Sequence, residues 1–99
     1  MSTLYSSFNA GISGLNANAT RLSAISDNIA NTGTTGYKRV VASFNSMVAS
    51  GSHYGPYIAG GVRSSTVRLV DERGAMTNSS NPTDLAVTGR GFLPVTSYN

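Results

Sequence analysis

The chain has 99 residues, a formal net charge of +3 and no cysteine. That length supports one domain at most, and the absence of thiols excludes a disulfide scaffold and thiolate metal sites. Only 11% of the residues are charged, whereas Ser, Thr and Asn supply 34 of the 99, so the polarity is neutral and unlike a charge-rich disordered segment.

The first thirty-one residues carry the strongest pattern. Met1, Phe8, Leu15, Leu22 and Ile29 recur every seven residues, with Leu4 and Ile25 between them and Ile12 and Ala19 widening the stripe. This predicts one long α-helix, from about Thr3 to Asn31, with an apolar seam of Leu4, Phe8, Ile12, Leu15, Leu22, Ile25 and Ile29. Seven-residue spacing over four repeats points to packing against another long helix. Ser2 or Thr3 can cap the first turn. The other faces are unusual, because Arg21 and Asp27 are the only charged side chains before Thr32. A solvated helix normally carries Glu and Lys on its outer face. Such a surface suits a helix that meets neighbours all round, or one that lines something that must not hold on to charge.

Gly11 and Gly14 lie inside this helix, and each costs roughly 1 kcal/mol relative to Ala. They are read here as close-packing positions where a neighbouring helix approaches. Gly33 is expected to stop the helix in the left-handed conformation, with a second turn at Gly36. Lys38 and Arg39 follow at the negative end of the helix dipole, which they would modestly compensate.

Residues 37–60 are ambiguous. Val40, Val41, Phe44, Met47 and Val48 fit a brief helix or an extended segment equally well, and SGSHYGPYIAGG reads as a loop or arm. Alternation from Val62 to Val70 predicts a strand, Asp71 to Gly74 a turn, and Thr77 to Pro82 a second polar turn. Leu85–Val87 and Phe92–Val95 read as two short strands around Thr88 to Gly91. The expected architecture is therefore α+β and not a compact globule. An inner helix (1–33) stands apart from a linker or arm (34–60) and a β-rich segment (61–99).

No catalytic, cofactor-binding or metal-binding constellation emerges. His53 is the only histidine, and Asp71 and Glu72 sit together beside Arg73 as a solvated turn would place them. There is no G-x-G-x-x-G or Walker pattern. Nothing points to an enzyme. The basic residues are dispersed apart from Lys38 and Arg39, which argues against a nucleic-acid partner. No stretch approaches the ~20 apolar residues of a membrane span, and the N-terminus lacks the features of a cleaved signal peptide.

Two stretches carry a family resemblance. Ser26-Asp27-Asn28-Ile29-Ala30-Asn31, followed by Thr34-Thr35-Gly36-Tyr37-Lys38-Arg39, resembles the N-terminal signature of the bacterial flagellar axial proteins, which build rod and hook. The signature positions are Asp27, Asn28, Ala30, Asn31, Thr35, Gly36, Tyr37 and Lys38. Asp84-Leu85-Ala86-Val87 with Gly89, Gly91 and Phe92 is similar to a second family segment, although Leu93 replaces its usual second Phe. Gly14 to Leu22 resembles the hook proteins more than the rod proteins, and Ala42-Ser43-Phe44 with Met47 resembles the segment that follows the first signature in hook proteins.

The resemblance implies an exported structural subunit, without cofactor or metal, at the cell exterior in the hook and basal body. It implies a homopolymer forming a tube around an export channel and a universal joint that transmits torque. Its expected partners are rod and hook–filament junction proteins, the hook cap and the type III export apparatus. A C-terminal helix absent from this sequence would complete a coiled coil with the N-terminal one. A rod protein of the same family, or a non-enzymatic adaptor that folds on a partner, are the alternative readings.

Overall fold

A computed structural model describes residues 2–48 and 57–98. The expectations for Met1 and His53 lie outside these residues. Helix α1 spans Ser2–Ala30, strand β1 Val40–Ser46 and strand β2 Val62–Arg68. The molecule is elongated, 69 × 30 × 24 Å, with a Cα radius of gyration of 21.3 Å, against about 13 Å for a compact domain of this size.

α1 covers the predicted stretch. Its C-terminus, however, is not closed by a left-handed Gly33. The last turn tightens, with the Thr32 amide donating to Ile29 O (3.3 Å) and the Thr34 amide to Asn31 O (3.0 Å). Side chains then satisfy the free carbonyls. Asn31 Nδ2 donates to Asp27 O at 2.8 Å, and Thr32 Oγ1 donates to Ile29 O. With these in place a glycine cap is not needed. The left-handed residue is Gly36, at φ +79°, in the third position of a turn closed by Tyr37 N–H to Thr34 O. This is a type II turn, which requires positive φ there.

Of the two readings of residues 40–48, the extended one is correct. β1 pairs antiparallel with β2, from Val40 opposite Arg68 to Ser46 opposite Val62. Contrary to the expectation that the helix stands apart, this hairpin lies along α1. Val40, Ala42 and Phe44 alternate inward, as do Val62 and Ser64. Arg21 places its guanidinium 4.9 Å from the centre of the Phe44 ring. The outer face carries the Val41–Val67 and Ser43–Ser65 pairs.

The hairpin is fastened to the helix at both ends. At its base the Asn28 carboxamide grips Val40. Asn28 Nδ2 donates to Val40 O (2.8 Å), and Val40 N–H donates to Asn28 Oδ1 (2.9 Å). At the far end Val62 N–H donates to Ser13 Oγ (3.1 Å), which donates in turn to Ala10 O (2.8 Å). Gly61 approaches the helix there at φ +83°, and a Cβ on it would lie 2.5 Å from Ser13 Oγ. The lengths match. Ser13 to Asn28 rises about 22 Å along a helix, and a seven-residue strand spans roughly 20 Å.

Beyond β2 the chain turns at Leu69–Glu72 and again at Asn81–Asp84, with the Asp84 amide donating to Asn81 O (3.2 Å). The second turn thus falls slightly after the predicted one. It is braced by Thr83 donating to Asn81 Oδ1 and Ser79 to Asp84. The two short strands expected at 85–87 and 92–95 are not strands. Leu85, Phe92 and Val95 are exposed, and among the described residues no backbone pairs with them to form a ladder.

Replacing Asn28 by Ala removes both ends of the Val40 contact and one to Tyr37. At about 1 kcal/mol net per hydrogen bond, the hairpin base should lose about 2–4 kcal/mol of docking free energy. Hydrogen exchange in the complete protein should show the Val40 amide exchanging much faster while amides within α1 hold. Gly61→Ala should undo the other end, because the new methyl meets Ser13 and the positive φ is itself strained by about 1–3 kcal/mol. Retained protection at Val62 in that variant would contradict the close approach.

Candidate assembly interface

α1 has two different faces. The one beneath the hairpin is made of small residues. Ala10, Ser13, Ala17, Thr20, Ala24 and Asn28 are its less exposed positions, and Ala17 (2% exposed) and Ala24 (8%) are the only buried apolar residues described. Small side chains here let the hairpin backbone approach closely. At 3.6 residues per turn, the apolar seam lies about 160° away around the helix. The seam is open. Leu4, Phe8, Ile12, Leu15, Leu22, Ile25 and Ile29 are 41% to 72% exposed.

The fold therefore uses the small-residue face of the helix internally and leaves the large apolar one free. A heptad stripe of this length is far more contiguous than the singly scattered exposed apolar residues of ordinary surfaces. Gly11 and Gly14 face open space among the described residues, since nothing lies within 4 Å of a Cβ built on either. Inside the chain the close-packed glycine is Gly61, which the residue pattern did not single out. Its position directly before the alternating segment, after a long loop, was the available signal.

The signature residues converge where helix meets hairpin. Asn28 Oδ1 also accepts from the Tyr37 hydroxyl (2.9 Å). Asn31 Oδ1 accepts from Thr34 Oγ1 (3.0 Å), and Asp27 contributes its backbone carbonyl to Asn31. Ala30 ends the helix, Thr35 and Gly36 form the turn, and Tyr37 is delivered back to Asn28. Lys38 and Arg39 do not contact the helix end. The Arg39 guanidinium makes a two-pronged pair with Glu72 (2.7 and 2.8 Å), and Lys38 Nζ donates to Glu72 O. Arg68, one of the dispersed basic residues and the last of β2, donates to Lys38 O (2.7 Å) and stacks 5.3 Å from the Tyr37 ring. These contacts bring the two hairpin strands and the following turn to one point at the foot of the helix.

Among the described residues no group of His, Cys, Asp or Glu could hold a metal ion. No helix among these residues is long and apolar enough to cross a membrane.

Residues 8–38, which span most of the seam and the Asn28–Tyr37 contact, match the family model described as flagella basal body rod protein. The chain is 40% identical to the flagellar hook protein of Rhizobium meliloti over 98% of its length, which is 24% of that relative. It is 41% identical to the hook protein of Caulobacter vibrioides over 88% of its length, 15% of the relative. Against the flagellar basal-body rod protein of the same organism it is 33% identical over 84% of its length, 37% of the relative. No solved structure matches. Over most of its length the chain is thus similar to flagellar rod and hook proteins, and it spans about a quarter or less of the hook proteins it matches.

The Arg39–Glu72 pair is exposed, so its contribution is small. Hydrogen bonding to Arg39 holds the Glu72 carboxyl below its ordinary value and raises Arg39. A depressed carboxyl stabilises the fold above the unfolded value of about 4.3, and that stabilisation is lost as pH falls through the lower folded value. Acidification below about pH 4 should loosen residues 69–74 from the foot of β1. Glu72→Gln should abolish this pH response, as read by the chemical shifts of those residues across the titration.

Proposed function

We propose that this chain forms the inner part of a structural, non-enzymatic subunit of the bacterial flagellar hook. The observation that carries this is the similarity to hook proteins at 40–41% identity over 88% to 98% of this chain. The open heptad seam supports it, since a helix of this kind gains most of its stability from packing. In this reading the seam is covered by a helix from the remainder of the protein and by neighbouring copies, with Gly11 and Gly14 as points of close approach. The region divides into an inner-core helix (1–33), a connecting arm (34–60) and a β-containing segment leading to outer domains (61–99).

Many copies assemble into a tube that transmits torque, bends as a universal joint and encloses the path along which subunits are exported by the type III apparatus. The near absence of charge on α1 suits such a channel, where a passing chain finds little to hold it. Rod and junction proteins adjoin the tube at its ends, and a cap directs its growth. The signature residues set the angle at which the chain leaves the helix.

A rod subunit is the second reading, favoured by the match to the rod-protein model and the 33% identity to a rod protein. Electron cryo-microscopy of the assembled complete protein distinguishes them. A curved, compliant tube with residues 2–30 innermost is expected, whereas a straight, stiff one indicates the rod. A discrete complex of fixed stoichiometry instead of a tube overturns both.

Leu15→Ala or Leu22→Ala should each cost about 2–5 kcal/mol where the side chain is buried in the assembly. Polymerisation of the purified complete protein should weaken and swimming should slow. Variants that assemble and swim like the parent would remove the seam from the interface.

A further inference from the structure

The seam of α1 has two interruptions that its heptad spacing places in a particular relation. The positions seven apart through Leu4 are Leu4, Gly11, Asn18 and Ile25, and the companion row is Phe8, Leu15, Leu22 and Ile29. Two adjacent layers of one row are thus not apolar. At Gly11 nothing lies within 4 Å of a would-be Cβ, so the seam has a notch between Leu4, Phe8 and Leu15. One heptad later, about 10 Å along the helix, stands an amide. Asn18 Nδ2 donates to Gly14 O (3.1 Å), which turns the NH2 group back onto its own helix. Its Oδ1 has no partner among the described residues.

A strictly repeating apolar seam does not distinguish its correct register from one shifted by seven residues. A single amide in such a seam does, because a displaced partner leaves it unpaired, at a cost in stability to the correct pairing. A notch does so by volume, since it accepts a large side chain that Leu-lined layers cannot.

We propose that Gly11 and Asn18 fix the axial register of the helix that covers the seam, which presents a bulky apolar residue to Gly11 and a hydrogen-bond donor to Asn18 Oδ1. The occupant is a heptad-patterned helix from the part of the same protein outside residues 1–99. The four-repeat stripe requires a long helix, and three quarters or more of each matched hook protein lies beyond the aligned region. This rests on the hook or rod reading and adds the residues that choose the register.

The test uses the assembled complete protein with a photo-cross-linking residue at Ala19, beside Asn18 on the helix surface. Cross-linked peptides are mapped by mass spectrometry. The parent should cross-link to one position in a helical segment outside residues 1–99. Asn18→Leu should add a second position seven residues away and raise the thermal dissociation midpoint, because an apolar layer is more stable but less selective. Asn18→Gln, which keeps the amide, should retain the single position. A single unchanged position in Asn18→Leu overturns the register role, and cross-linking to the seam of another copy overturns the occupant. Either result leaves the hook reading standing, since that fails on the Leu15 and Leu22 variants and on the polymer itself.

Discussion

One carboxamide ties the two halves of this molecule together. Asn28 presents its oxygen and nitrogen to the backbone of Val40 as an adjacent strand would, and its oxygen also receives the Tyr37 hydroxyl. The helix has no strand edge to offer, so a side chain supplies the equivalent of one. Everything beyond Tyr37 takes its direction from that contact. The Gly36 turn can return the chain to the helix only because Asn28 is there to receive it. β1 then runs back along the helix, and β2 follows by pairing with β1.

Such a fold rests on polar stapling more than on a core. Two alanines are the only buried apolar residues described, and the larger apolar side chains of the helix face away from the hairpin. The usual arrangement of an amphipathic helix, apolar side inward, is inverted. The inversion is consistent with a chain that folds fully within a larger body. It also explains why glycine matters at Gly61, where close approach of backbones replaces side-chain interdigitation.

Much of the helix was legible from residue spacing, because a heptad stripe over 29 residues has no rival interpretation. β2 was legible for a similar reason. β1 was not, since Val40, Val41, Phe44 and Met47 satisfy helical and extended patterns alike, and the choice is made by Asn28 and by pairing with residues 16 to 28 positions away. The misread strands at 85–87 and 92–95 show the converse. A strand signal is local, but a strand exists only where a second backbone lies beside it. The signature was recognised by resemblance, yet its physical content, an amide reaching a strand, could not be read without knowing that the chain doubles back.

The scarcity of charge on α1 has a further consequence. Arg21 stacks on Phe44, which leaves Asp27 as the sole other ionic group from Ser2 to Ala30. Contacts made by this helix are therefore nearly free of the Coulombic component that dissolved salt screens over about 8–10 Å. Their strength is set by shape and by water, so an assembly built on them would not weaken as salt is added.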